Sequence, residues 1–143
     1  MVRTARRANG IGRLVGEIMR PPVTAEPAEP IRAAAARMKD GAAGAAAVLD
    51  GDRLAGILTE RDLLRAIADG LDPFATRVAE VMTPEPVTIE PRVPISEAGS
   101  LMVKLVVRHL PVVDDGRLVG MVSARDIVAS GARYAASLAY EPW

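Results

Sequence analysis

The sequence predicts an α/β protein of the α+β type. Two repeats, each running strand, helix, strand, strand, helix, are expected to pack sheet to sheet as one pseudo-twofold module. Three observations predict this. Sliding the chain by 64 residues aligns 23–65 with 87–129 without a gap, and fifteen of the 43 pairs are identical, including Val-Thr, Glu-Pro, Pro-Ile, Arg-Leu and Arg-Asp. Self-similarity on that scale marks a duplicated supersecondary unit. Each copy then holds two short apolar runs around a turn of Asp and Gly residues, a hairpin pattern. Finally, Ile95, Ala98, Met102 and Leu105 recur at spacings of three and four, one apolar face of a helix.

Residues 1–14 carry Arg3, Arg6, Arg7 and Arg13 with no hydrophobic export segment, and read as a flexible, solvated basic arm. Repeat one, 15–70, opens on Val15, Glu17, Met19 and Pro21, which return at a shift of 63 as Val78, Glu80, Met82 and Pro84. A brief extended piece follows, 22–25 in one copy and 86–89 in the other, ended by prolines. The first helix is expected over 31–38, mostly alanine, and over 95–105. Hairpins come next, 45–49 with 53–58 around Asp50-Gly51-Asp52, and 109–113 with 117–122 around Asp114-Asp115-Gly116. A second helix starts after Thr59 and after Ser123, over 60–68 and 124 to about 136. Gly70 and Pro73 mark 71–77 as an ordered linker, 78–130 is repeat two, and 131–143 is a helix end and tail. A unit of about 60 residues cannot cover both faces of its own three-stranded sheet, so the copies should fold as one domain.

Composition narrows the chemistry. Eighteen Lys plus Arg balance eighteen Asp plus Glu, so no strong overall field drives binding. Of the four aromatics, Tyr134, Tyr140 and Trp143 sit at the end, leaving no stacking platform for nucleic-acid bases or for adenine. Nucleic acid is not an expected partner. The chain has no cysteine and one histidine, His109, which excludes thiol nucleophiles, disulfides and zinc sites built on thiolates or histidine pairs. The longest uncharged apolar run, 41–49, is far short of the roughly 20 residues a membrane-spanning helix needs. A cytoplasmic protein is expected. Met19, Met38, Met82, Met102 and Met121 fall at apolar positions and read as core filling. Neither copy offers a nucleophile with a base and an oxyanion site, so no catalysis, catalytic cofactor or metal is expected.

The sharpest local feature is Thr59-Glu-Arg-Asp62 with its partner Ser123-Ala-Arg-Asp126, each where a strand meets a helix. Two readings stand. Thr59 and Ser123 can be N-caps, with Asp62 and Asp126 favoured by the helix dipole. Alternatively the helix terminus, the hydroxyl and Arg61 or Arg125 hold a phosphate, while the carboxylate accepts hydrogen bonds from a ribose diol. His109 likewise reads either as a histidine packed at a strand start or as a phosphate contact. The small-sided run 41–47 serves tight packing or leaves space for a ring.

The ordered set Glu80-Val-Met-Thr-Pro84, Val87-Thr88, His109-Leu-Pro-Val-Val-Asp114, Arg117-Leu-Val-Gly120 and Ser123-Ala-Arg-Asp126, largely repeated in copy one, resembles the cystathionine-β-synthase (CBS) motif. Two in tandem over 15–130 resemble a Bateman module. The resemblance implies a regulatory module that binds an adenosine-containing ligand, AMP, ADP, ATP, S-adenosylmethionine or NAD(H), in clefts between the motifs. Carried over, it puts Asp62 and Asp126 on ribose hydroxyls, Thr59 and Ser123 beside the ribose-phosphate, and Thr24 and Thr88 beside the base. Arg108 and His109 match positions that reach phosphates, and Pro111, like Arg61 and Arg125, is counted among the ligand-binding residues. Copy one has Gly44-Ala45 where copy two has Arg108-His109, so the two clefts are not expected to be equal. The resemblance also implies a disc-like homodimer, for which Leu63-Leu64 and Ile127-Val128 on the second helices are candidate surfaces, and a protein target of unknown identity. The competing expectation is a ligand-free dimerising scaffold.

Overall fold

The computed structural model describes residues 13–138, so most of the expected basic arm and the end of the tail lie outside the described residues. Repeat one supplies α1 (Val15–Ile18), β1 (Thr24–Ala25), α2 (Ile31–Asp40), β2 (Ala45–Asp50), β3 (Arg53–Thr59) and α3 (Glu60–Ala68). Repeat two supplies α4 (Val78–Val81), β4 (Thr83–Pro84), α5 (Ile95–Leu105), β5 (His109–Asp114), β6 (Arg117–Ser123) and α6 (Ala124–Leu138).

The first sheet runs β1-β2-β3-β4, with β1 parallel to β2 and the other neighbours antiparallel. In the second, β5 and β6 pair antiparallel, Ile89 bridges in parallel to Val112, and Arg20 bridges antiparallel to Met121. The two sheets are thus copies of one plan, and each borrows an edge: Thr83-Pro84 of repeat two completes the sheet of repeat one, and Arg20 of repeat one completes the other. Each lead-in segment opens its own copy in sequence and completes the sheet of the other copy in space. Val78, Val81 and Met82 pack into the core of Ala25, Ile31, Ala34, Val48 and Leu58, while Val15, Ile18 and Met19 pack into that of Ala98, Met102, Leu110, Val112 and Val122. A four-residue helix has no stability of its own and forms where a neighbour buries its apolar side.

Between the sheets lies a third cluster, Ala45, Ala47 and Ile57 with Met121, flanked by Leu54 and Leu118. Small side chains at Ala45 and Ala47 let the two inner faces approach, while Ala46 packs on the other face of β2 in the core of repeat one, and all three are buried. On the outer face, the second helices divide each candidate pair. Leu63 and Ile127 turn inward onto the cores, whereas Leu64 and Val128 are 68% and 71% exposed.

Val106, the C-cap of α5, sits in the left-handed region at φ +56 and is 78% exposed. A β-branched residue is strained there, and glycine is not. Val106→Gly is therefore expected to raise stability by about 1 kcal/mol, read as a higher thermal midpoint, since little burial is lost.

Candidate functional site

Both strand-to-helix junctions are capped, as the first of the two readings has it. At α3 the Asp62 backbone N–H donates to Thr59 Oγ1 (3.4 Å), and Thr59 returns its own N–H (2.8 Å) and hydroxyl (3.1 Å) to Asp62 Oδ2. All of that falls on one oxygen. Asp62 Oδ1 has no hydrogen-bond partner among the described residues. At α6 the same box forms, with the Asp126 N–H on Ser123 Oγ (3.0 Å) and the Ser123 N–H on Asp126 Oδ2 (2.9 Å). There the second oxygen is taken, because Arg20 Nε donates to Asp126 Oδ1 at 2.9 Å.

A cleft of about 490 Å3 opens at the Asp62 junction. One wall is the end of β3 and the start of α3, with Ile57, Thr59, Asp62 and Arg65; the second is Thr83 to Val87; the third is the loop into β5, with Val107, Arg108, His109 and Leu110. Arg61 also lines it, and the guanidinium groups of Arg61, Arg65 and Arg108 make no ion pair or hydrogen bond among the described residues. Three guanidinium groups without a partner among the described residues, the carboxylates of Glu60, Asp62 and Glu85, and apolar Ile57, Pro86 and Val87 line it together, a set that suits a ligand carrying phosphate, hydroxyls and a flat apolar ring. The basic pair of repeat two thus lines the same cleft as the carboxylate of repeat one.

His109 explains the asymmetry between the repeats. A Cβ placed on Gly44 would stand 3.0 Å from His109 Nε2 and 2.9 Å from Glu60 Oε1, so the glycine at the position equivalent to Arg108 makes room for this ring. Desolvation by burial lowers the His109 pKa from 6.5, Glu60 and Asp126 oppose that, and Arg108 adds to it. The unfolded chain then binds the proton more readily, so stability is full above pH 6.5 and declines as pH falls through that value. Between about pH 7.5 and pH 5.5 the thermal midpoint of the wild type is expected to drop further than that of His109→Gln.

The other candidate residues lie apart. Thr24 is on β1, opposite Ala47, where its carbonyl accepts from Arg37 Nε at 3.1 Å. Thr88 lines an adjoining cavity of about 290 Å3 with Leu54 and Val113, which shares Glu85 and Pro86 with the cleft, while its neighbour Val87 lines the cleft itself. Pro111 is fully buried and its carbonyl accepts from the Ile89 N–H at 3.0 Å. Ser123, Arg125 and Asp126 belong to the opposite junction and do not line this cleft. Residues that the sequence reading missed are Thr83, Glu85, Arg65 and Leu110. Arg65 stands one helical turn beyond Arg61, a spacing that could have flagged it. Glu85 turns in through a left-handed backbone at φ +47, which nothing in its residue type announces.

Fold and site together define a two-repeat module with a ligand-sized cleft where the lead-in of one repeat clasps the other. The chain belongs to the CBS domain family, which matches it twice, over 15–69 and 78–132. It is 39% identical over 108 residues to the CBS domain-containing protein YhcV of Bacillus subtilis, covering 75% of this chain and 76% of that protein. Among solved structures it is similar to the CBS domain protein PAE2072 of Pyrobaculum aerophilum complexed with AMP (TM-score 0.75, 30% identity, 86% of this chain and 98% of that one). It is also similar to the CBS domain pair of protein MJ0100 in complex with 5'-methylthioadenosine and S-adenosyl-L-methionine (TM-score 0.77, 29% identity, 84% and 96% covered). No helix among the described residues is long and apolar enough to cross a membrane.

Proposed function

We propose that this protein is a non-catalytic, cytoplasmic regulatory module that binds an adenosine-containing ligand in the Asp62 cleft and signals its occupancy to a partner protein by a conformational change. The observation that carries the reading is that Asp62, with Oδ1 unpartnered among the described residues, lines one cleft with Arg61, Arg65 and Arg108. Asp62 takes the ribose hydroxyls, Arg61, Arg65 and Arg108 take phosphate, and Ile57, Pro86 and Val87 supply the apolar contact for the base. The complexes of PAE2072 with AMP and of MJ0100 with S-adenosyl-L-methionine support this ligand class. Unpaired guanidinium groups favour phosphate esters over a sulfonium cation, so AMP, ADP or ATP should outrank S-adenosylmethionine, with NADH between.

The units of this reading are repeats 15–70 and 78–130 joined by 71–77, associated as a homodimer through the outward side chains Leu64, Ile67, Val103 and Val128. Light scattering should return twice the mass of one chain, and Leu64→Glu with Val128→Glu should halve it.

A thermal-shift screen against AMP, ADP, ATP, S-adenosylmethionine and NADH tests the ligand reading. At a hundredfold excess over Kd a bound ligand stabilises by about 2.7 kcal/mol, several degrees for a chain of this size. No shift with any of the five would favour the dimerising scaffold.

A further inference from the structure

Arg20 and Thr83 occupy equivalent places. Arg20 bridges Met121 as Thr83 pairs with Ile57, and Met121 and Ile57 are counterparts in the repeat. The backbone of Arg20 is held by two hydrogen bonds, its N–H to the Met121 carbonyl and the Met121 N–H to its own carbonyl, both 2.9 Å. From that fixed point the side chain reaches Asp126 and places Nε 2.9 Å from Oδ1. Asp126 is 8% exposed, so this carboxylate meets a guanidinium on Oδ1, one capping donor, the Ser123 N–H, on Oδ2, and almost no water.

On the other side, Thr83 lines the cleft and makes no hydrogen bond to Asp62, whose Oδ1 stays open. The carboxylate oxygen left for a ligand at Asp62 is thus the one that Arg20 satisfies at Asp126. A neutral diol would have to displace a charge-assisted bond from a tethered donor and strip a buried carboxylate of its counter-ion.

We infer that Arg20 is the residue that closes the Asp126 half to ribose-bearing ligands, so that one ligand binds per chain, in the Asp62 cleft alone. This rests on the proposed function, and it makes a single side chain the determinant of site number.

The test is calorimetric titration of AMP, ADP, ATP, S-adenosylmethionine and NADH into wild type, Arg20→Thr, Arg20→Met and pairings of these with Asp62→Asn or Asp126→Asn. Circular dichroism of each variant checks its fold, and Arg20→Met keeps the aliphatic stem in case threonine disturbs the edge. Wild type is expected to bind one equivalent, weakened about ten- to a hundredfold by Asp62→Asn and unchanged in Asp126→Asn. The Arg20 variants should bind a second equivalent at least tenfold more tightly than any residual second event in wild type. That second site should survive Asp62→Asn and vanish with Asp126→Asn. Two equivalents in wild type, or one unchanged equivalent in a folded Arg20 variant, would overturn the role of Arg20 and leave the Asp62 site standing. No binding of any probe to wild type or variants would overturn both. Should both Arg20 variants unfold, two equivalents in wild type, or loss of its single equivalent with Asp126→Asn, would still overturn the inference.

Discussion

Asp62→Asn is expected to weaken binding of an adenosine phosphate by about ten- to a hundredfold, the 1.5–3 kcal/mol scale of a hydrogen bond to a charged group. The cap survives the change, because the remaining amide oxygen can still accept from the Thr59 N–H as Oδ2 does now. What is lost is the free oxygen, replaced by an NH2 that cannot accept from a hydroxyl. Stability without ligand should therefore move little. Asp126→Asn should do the reverse. It weakens a part-buried charge-assisted bond to Arg20 and lowers the thermal midpoint, yet leaves affinity at the Asp62 cleft intact. Titration calorimetry and thermal melts on the two single variants separate these effects, and equal losses of affinity would contradict the asymmetry.

That asymmetry was half legible in the sequence. Residue identity alone distinguished Arg108-His109 from Gly44-Ala45, and the repeat shift located both capping boxes. The hairpins and the four longer helices matched their expected spans within a residue or two, because Asp-Gly turns and a three-and-four apolar rhythm are local signals, whereas the four-residue helices 15–18 and 78–81 were not expected. The exchange of lead-in segments was not legible. The pairing of Thr83 with Ile57 and of Arg20 with Met121 is long-range, and a linear repeat looks the same whichever partner its first ten residues choose. Thr83 and Arg20 escaped notice for that reason, though a one-residue change of register, from 63 to 64, marked the place where each lead-in leaves for the opposite repeat. Thr24 and Thr88 were assigned by resemblance, and each sits beside its own strand pairing, away from the Asp62 oxygen.

The exchange also explains two glycines and supplies the largest stability effect expected here. A Cβ on Gly56 would lie 2.5 Å from Met82 Sδ and 2.8 Å from the Thr83 carbonyl oxygen; on Gly120 it would lie 2.6 Å from Met19 Sδ, 2.9 Å from Met19 Cγ and 3.1 Å from the Arg20 carbonyl oxygen. Each glycine is the seat on which the other repeat's methionine lies. Alanine there overpacks a site that cannot relax freely, which costs about 1–3 kcal/mol and several degrees of thermal midpoint. A thioether can swing aside, but a carbonyl in a paired strand cannot, so Gly56→Ala should cost more than Gly120→Ala. Gly56→Ala should also weaken ligand binding, because moving β4 displaces Thr83 and Glu85 in the cleft wall. Pairing each glycine change with truncation of its methionine sharpens the test. Met19→Ala removes the two nearest atoms facing residue 120 and should rescue most of the loss there, whereas Met82→Ala leaves the 2.8 Å backbone contact at residue 56 in place. Double-mutant cycles from thermal or urea melts should accordingly give the larger favourable coupling at Gly120 with Met19, and equal couplings would mean that β4 yields as easily as a side chain.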